Sequence, residues 1–273
     1  MNRKIILMGF LIIFEIVSQN RPVILTSCNS PLLGNRLFNY CFAKIIAEKF
    51  NCDLVAEPIL GFNIDCPKKP FNSSFSVQYI QDQDAKPYLN IPFKNILNNQ
   101  YPMNFQIHGY FQRYEYLQPY KDLIKNSWLK LNEPIELHDN KDDVVVHVRL
   151  RDGMFELPFE YYKKSLSLIK YNKLFICTDN PDHEFIKNFD PYNPIIIRHK
   201  DIFDPNATLG DFRFIMSFNK IICSQSTFCW WAAFLSNATE IYAPRPNKGL
   251  MSWPQIQLEV TDESRYIYVE CNW

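Results

Sequence analysis

The sequence predicts an α/β protein of two lobes with a doubly wound parallel sheet in its second half, on three observations. Short β-branched runs alternate with stretches of helical period from residue 143 to residue 243, the pattern in which each strand feeds a helix that returns over a parallel sheet. The 273 residues are enough for two domains at roughly 100 to 150 residues each. A polar break, His138-Asp139-Asn140-Lys141-Asp142-Asp143, lies near the middle. The boundary is placed there, giving an N-terminal lobe over 20–138 and a C-terminal lobe over 139–273.

Taken in order, Pro22 to Cys28 reads as a strand. The next run, Asn35 to Phe50, is apolar at 37, 38, 41, 42, 45, 46 and 50, a 3.6-residue period, and reads as a helix. Asp53 to Glu57 is a second strand. The segment 58–103, rich in Pro, Asn and Gln, is weakly patterned apart from the strand-like Phe75 to Ile80. Phe105 to Phe111 then leads into a helix over Tyr114 to Trp128. In the second half, strands are expected at Asp143–Val148, Lys173–Thr178, Ile195–Arg198, Lys220–Ser224 and Glu240–Ala243. Helices are expected at Phe159–Ile169, Pro181–Asn188, Leu209–Phe218 and Thr227–Leu235.

Composition removes several function classes. The 29 Lys and Arg balance 29 Asp and Glu, so no general attraction to nucleic acid is expected. Only 7 glycines are present, the closest two 25 residues apart at Gly9 and Gly34, which excludes a G-x-G-x-x-G turn, a Walker A loop and a G-x-S-x-G elbow. The 8 cysteines form no C-x-x-C pair, and no histidines have H-E-x-x-H spacing, against the common zinc sites. Cys177 and Cys223 lie in strand-like runs and read as buried unpaired thiols.

At the N-terminus, Arg3 and Lys4 precede an apolar run from Ile5 to Phe14. That run is too short to span a bilayer but fits a secretory leader or short membrane anchor over 1–19. The alternative is a buried first segment of a cytoplasmic protein. Sequons at Asn72, Asn206 and Asn237 are compatible with secretion.

In an open parallel sheet, ligands bind beyond the carboxyl ends of the strands. The first strand of the second half leaves through V-V-V-H-V-R-L-R-D-G, residues 144–153. Period-2 geometry sets His147, Arg149 and Arg151 on one side. With Asp152 they read either as a diphosphate cradle, since guanidinium grips phosphate oxygens bidentately, or as an ordinary charged strand end. Thr178-Asp179 close the next strand, and Ser224-Gln225-Ser226-Thr227 precede a helix. Ser226-Thr227 reads as an anion site at a helix N-terminus or as simple capping. Asp82-Gln83-Asp84 has the D-x-D form of a metal motif, but a hard cation needs more ligands. His108 reads as structural, and no metal set or cofactor is assigned.

Several motifs occur together in a fixed order. His147-Val148-Arg149-Leu150-Arg151-Asp152 and Leu157-Pro158-Phe159-Glu160-Tyr161-Tyr162 are followed by Asp211-Phe212, Met216-Ser217 and the block from Ser226 to Leu235. The first half adds Leu33-Gly34-Asn35-Arg36-Leu37-Phe38-Asn39-Tyr40 and Gly109-Tyr110-Phe111-Gln112. This set resembles glycosyltransferase family eleven, the alpha-1,2-fucosyltransferases, whose motifs are H-x-R-R-x-D, L-P-x-x-Y-Y, D-x-x-x-M-S, S-S-F-S-W-W-G-A-W-L, L-G-N-Q-[LM]-F-Q-Y and G-Y-[FW]-Q.

The resemblance implies two Rossmann-like lobes facing a cleft, as in the GT-B arrangement. It further implies metal-independent, inverting transfer of L-fucose from the donor substrate GDP-fucose to the 2-hydroxyl of a galactose in a glycan acceptor. Arg149 and Asp152 are then the catalytic candidates, with Asp152 as base or as an orienting group. His147, Arg149, Arg151, Asn35, Gly34, Asp179, Ser226 and Thr227 form the donor-side set, Asn35 facing the donor across the cleft. The sequence departs from the family at Leu150, which takes the place of the second arginine and displaces Arg151 by one, and at Arg36, which replaces a glutamine. Trp230 and Trp231 are read as packing a helix on the sheet. Two other readings stay open: the same fold acting on another nucleotide sugar, and a non-catalytic sugar- or nucleotide-binding protein.

Overall fold

The computed structural model describes residues 23–26, 32–64, 76–82, 103–150, 156–198, 204–246 and 256–271. The expected leader, Asn72, Asp84, Arg151 and Asp152 lie outside the described residues. The chain forms two compact units. Among the described residues, the first takes in 23–26, 38–58, 64, 76–82 and 103–111, and the second takes in 32–37, 59–63 and everything from 112 onward.

The first unit is built on four parallel strands in the order β2-β1-β5-β4, with β1 at Val23–Thr26, β2 at Asp53–Val55, β4 at Ser76–Gln81 and β5 at Met103–His108. Helix α1, Leu33–Phe50, connects β1 to β2. Its predicted apolar face is buried at every position, because a helix between two parallel strands must lie on the sheet. Phe42 stacks on Phe111 at 3.8 Å and Phe50 on Phe105 at 5.4 Å.

The second unit holds six parallel strands in the order β12-β11-β10-β7-β8-β9. These are β7 Val144–Val148, β8 Leu174–Thr178, β9 Ile195–Ile196, β10 Lys220–Ile222, β11 Glu240–Pro246 and β12 Tyr266–Cys271. Numbered from β7, the spatial order is 3-2-1-4-5-6, the winding of dinucleotide-binding sheets, which reverses direction between β7 and β10. Both strands at the reversal are buried throughout, as a sheet covered on both faces requires. Helices α3 (Phe159–Leu168), α4 (Pro205–Ser217) and α5 (Thr227–Leu235) supply crossovers. A short antiparallel pair, β3 Phe62–Asn63 with β6 Lys130–Leu131, also belongs to this unit.

Several elements differ from expectation. The expected helix over 114–128 is helical throughout but irregular in winding: α2 Tyr114–Leu117, a 3₁₀ turn Gln118–Tyr120, a further α-helical turn Lys121–Leu123 and a wider turn Ile124–Trp128 follow one another without a gap, and Pro119, which has no amide donor to give, sits in the 3₁₀ turn. The expected helix at Pro181–Asn188 is a 3₁₀ run over Glu184–Tyr192 that contains Pro191. Strand β12 has no counterpart among the expected elements.

The expected boundary near residue 139 falls inside the second unit. Residues 112–138 lie there because long-range bonds bind them to its C-terminal segment. The Tyr114 amide donates to the Gln257 carbonyl at 2.6 Å and the Gln257 amide to the Gln112 carbonyl at 2.9 Å. Lys121 pairs with Asp262 at 2.7 Å and Lys125 with Glu263 at 2.9 Å. No helix among the described residues is long and apolar enough to cross a membrane.

Candidate functional site

The sheet of the second unit reverses direction between β7 and β10, and in sheets of this winding ligands bind beyond the carboxyl ends of the strands at the reversal. His147, the next-to-last residue of β7, is buried at this point, and its Nδ1 lies 2.6 Å from Ser224 Oγ, just beyond β10. One polar bond thus joins the two strand ends at the reversal. The His147 ring also lies 5.6 Å from the ring of Phe228, in the first turn of α5.

Arg149 follows β7 directly, and its Nε lies 3.2 Å from Asp179 Oδ2. The other oxygen of the same carboxylate accepts the Leu150 amide at 2.8 Å. Asp179, one residue past β8, therefore grips both the guanidinium and the backbone that presents it. This geometry also accounts for the departure at Leu150, whose side chain is 3% exposed and joins the apolar cluster of Val148, Leu157, Tyr161 and Tyr162. A guanidinium in that position would be buried among apolar side chains, a costly placement without a partner.

At the start of α5, Ser226 Oγ accepts the Phe228 amide at 3.3 Å, so this hydroxyl serves as the helix cap. Thr227 Oγ1 donates to Asn35 Oδ1 at 3.2 Å, and Gln112 Nε2 donates to the same oxygen at 2.9 Å. Asn35 thus lies within the second unit, against the N-terminus of α5. The fit explains Gly34: a Cβ at this position would come within 2.6 Å of Thr227 Oγ1 and 2.7 Å of the Phe228 amide nitrogen. Only glycine permits so close an approach of one helix start to another.

Two groups without an assigned role in the sequence reading have clear tasks. The Tyr161 hydroxyl reaches the carbonyls of Cys223 at 2.6 Å and Tyr242 at 3.1 Å, tying β10 to β11 beside Ser224. Asp82, first of the D-x-D pair, accepts the Phe111 amide at 3.0 Å. Among the described residues no group of three or more His, Cys, Asp or Glu is arranged to hold a metal ion. Cys177, Cys223 and Cys229 are buried free thiols, and burial holds the Cys177 and Cys229 thiols well above their ordinary range. Both stay protonated and are poor nucleophiles.

Residues 33–255 match the family model described as Glycosyl transferase family 11. No curated protein matches the chain. Among solved structures, a glycosyl transferase family 9 protein from Veillonella parvula is similar at a TM-score of 0.51 and 12% identity, over 92% of this chain and 86% of that one. A mutant of Arabidopsis thaliana FUT1 in complex with GDP is similar at 0.50 and 15% identity, over 82% of this chain and 71% of that one. Fucosyltransferase NodZ from Bradyrhizobium follows at 0.47 and 16% identity, over 81% and 95%. At such identities the likeness to the Veillonella and Arabidopsis structures is one of fold alone, an α/β architecture shared with GT-B-like proteins.

Proposed function

The chain belongs to glycosyl transferase family 11, and from that premise we propose that it transfers L-fucose from GDP-fucose to the 2-hydroxyl of a galactose-containing glycan. The observation that carries this reading is the Arg149–Asp179 pair at the carboxyl end of β7, beside the His147–Ser224 bond at the sheet reversal. The GDP complex of the Arabidopsis protein supports the choice of nucleotide.

In this reading the second unit carries the donor and the first faces the acceptor. As the sugar–phosphate bond breaks, negative charge accumulates on the leaving GDP, and Arg149 supplies a fixed positive charge there. Asp179 holds that guanidinium in place before the reaction, which is what makes such a group effective in a transition state. His147, Asn35, Gly34, Ser226 and Thr227 complete the donor side, and Arg151 adds a second cation. Asp152 is assigned as the base that takes the acceptor proton, giving inversion at the anomeric carbon in a single displacement.

Guanidinium stays charged without a metal, so transfer proceeds in the absence of divalent cations. The leader over 1–19 directs the chain to the secretory pathway or a membrane. In a eukaryotic host, glycan occupancy at the sequons Asn72, Asn206 and Asn237 supports that assignment, and cytosolic protein with all three unmodified contradicts it.

The test is incubation of the purified chain with a panel of nucleotide sugars and a galactoside acceptor, following transfer, donor hydrolysis and nucleotide binding. GDP-fucose is the expected donor, with transfer unaffected by EDTA. Preferred turnover of another nucleotide sugar, nucleotide binding without turnover, or loss of transfer to EDTA with rescue by manganese each contradicts a stated part of the reading.

A further inference from the structure

The His147 ring at the end of β7 is 4% exposed and is held by side chains from two other elements. Ser224 Oγ, just beyond β10, lies 2.6 Å from its Nδ1. The Cys229 thiol, in the first turn of α5, is in hydrogen-bonding contact with the same ring and with the Cys223 thiol. Ser224 and Cys229 are 1% and 0% exposed, so protein surrounds both. Because Cys223 and Ser224 are neighbours in the chain, the contacts close on themselves, from ring to hydroxyl, along the backbone to one thiol, to the second thiol and back to the ring.

The backbone that presents Ser224 is itself fixed. The Cys223 amide donates to the Tyr242 carbonyl at 2.8 Å and the Ser226 amide to the Ser224 carbonyl at 2.9 Å, while the Tyr161 hydroxyl donates to the Cys223 carbonyl at 2.6 Å. Two residues beyond His147 stands Arg149, and two beyond Ser224 stands Ser226, the cap of α5. The ring therefore links the strand end that carries the guanidinium to the start of the helix. Cys229 occupies the place of the second-last serine in the first half of the family block S-S-F-S-W-W. Thiol and hydroxyl each carry one proton and acceptor lone pairs, so either side chain keeps the link.

We infer that Ser224 and Cys229 are positioning residues of the transfer reaction, fixing the His147 ring and through it the placement of Arg149 relative to the start of α5. The inference rests on the proposed transferase reading and deepens it. A misplacement of about 1 Å in a group that orients substrate costs on the order of 100-fold in rate, so loosening the ring is read in turnover more strongly than in binding. The test compares Ser224→Ala, Cys229→Ala and Cys229→Ser with wild type. It measures kcat and KM with GDP-fucose, GDP affinity and stoichiometry, and thermal unfolding.

Ser224→Ala is expected to lower kcat roughly 10- to 100-fold and GDP affinity only roughly 2- to 12-fold, the equivalent of one hydrogen bond. Cys229→Ala should move both in the same direction, and Cys229→Ser should recover most of the loss. A merely structural role would lower the unfolding temperature and leave kcat unchanged for the folded fraction counted by GDP stoichiometry. In wild-type protein labelled with 15N-histidine, a ring N–H resonance that exchanges slowly with water is expected, and it should shift in Cys229→Ser. Absence of that resonance overturns the inference whether or not the alanine variants fold. An active wild type whose folded alanine variants keep its kcat, or a Cys229→Ser protein as impaired as Cys229→Ala, overturns the inference and leaves the transferase reading standing. A wild-type chain that neither binds GDP nor transfers overturns that reading, and this inference with it.

Discussion

Asp179 and Asp82 perform the same backbone task in two different sheets. Each follows a strand of a parallel sheet, and each accepts an amide from the segment leaving a neighbouring strand: Leu150 at 2.8 Å for Asp179, Phe111 at 3.0 Å for Asp82. The difference lies in what the held backbone presents. Asp179 also grips the Arg149 guanidinium. The segment held by Asp82 delivers a fully buried ring, Phe111, stacked on Phe42, and it does so through left-handed backbone at Gly109 and Phe111, with φ of +129° and +53°. Asn39 holds the Gly109 carbonyl at 3.0 Å from the other side. One carboxylate fixes a charge at a strand end; the other fixes a strained corner that packs the core.

Four outcomes break or sharpen this comparison. The largest is expected at Arg149. Arg149→Ala should lower turnover roughly 100- to 1,000-fold, the range for removing a donor aimed at developing charge. Arg149→Lys should fail nearly as badly, because an ammonium cannot reproduce a bidentate fork. Arg151→Ala should lose less, and steady-state kinetics with GDP-fucose orders the three variants.

Next is Asp179→Ala, which releases the guanidinium without removing it. A charge-assisted bond is worth about 1.5 to 3 kcal/mol, so GDP affinity and turnover should fall roughly 10- to 100-fold. Asp82→Ala should instead act on the fold, leaving the buried Phe111 amide unpaired and lowering stability by about 1 to 3 kcal/mol in denaturant titration.

The smallest effect concerns acid. Burial by itself would raise the carboxyl pKa values of Asp262 and Glu263. Hydrogen bonds from Lys121 and Tyr114 to Asp262, and from Lys125 and Arg265 to Glu263, hold them below the ordinary 3.8 and 4.5. A folded value below the unfolded one means the stabilisation is complete above the unfolded pKa and disappears as pH falls through the folded one. Thermal unfolding scanned from pH 7 to pH 3 should therefore lose this contribution only below about pH 4.5, and Lys121→Met should flatten that acid limb.

What was legible in the sequence was local. The buried face of α1, the apolar strands β7, β8 and β10, and the helices between them follow from period alone, because burial on both sides of a sheet leaves continuous apolar runs. His147 and Arg149 stood out because strand ends are where such sheets bind ligands. The missed edge strand β12, sequence Tyr-Ile-Tyr-Val-Glu-Cys, is only partly buried and carries Glu270, paired with Arg245 of β11 at 3.0 Å. An edge strand needs less apolar surface and so gives a weaker pattern.

The partners at the site were not legible, because each pairing spans too much chain for any local period to encode it. Asp179 meets Leu150 across 29 residues, Gln112 meets Asn35 across 77, and Thr227 meets Asn35 across 192. The same holds for Asp82, whose D-x-D context, already too few ligands for a hard cation, gives no hint of its bond to the Phe111 amide 29 residues away.

The central claim is that Asp179 fixes Arg149 as the binding group for the donor diphosphate. Isothermal titration of GDP into wild type, Asp179→Ala and Asp82→Ala tests it most directly. The account predicts a loss of at least about tenfold in affinity for Asp179→Ala, and for folded Asp82→Ala a change within about twofold. Wild-type affinity in Asp179→Ala, or a larger loss in Asp82→Ala, would contradict it.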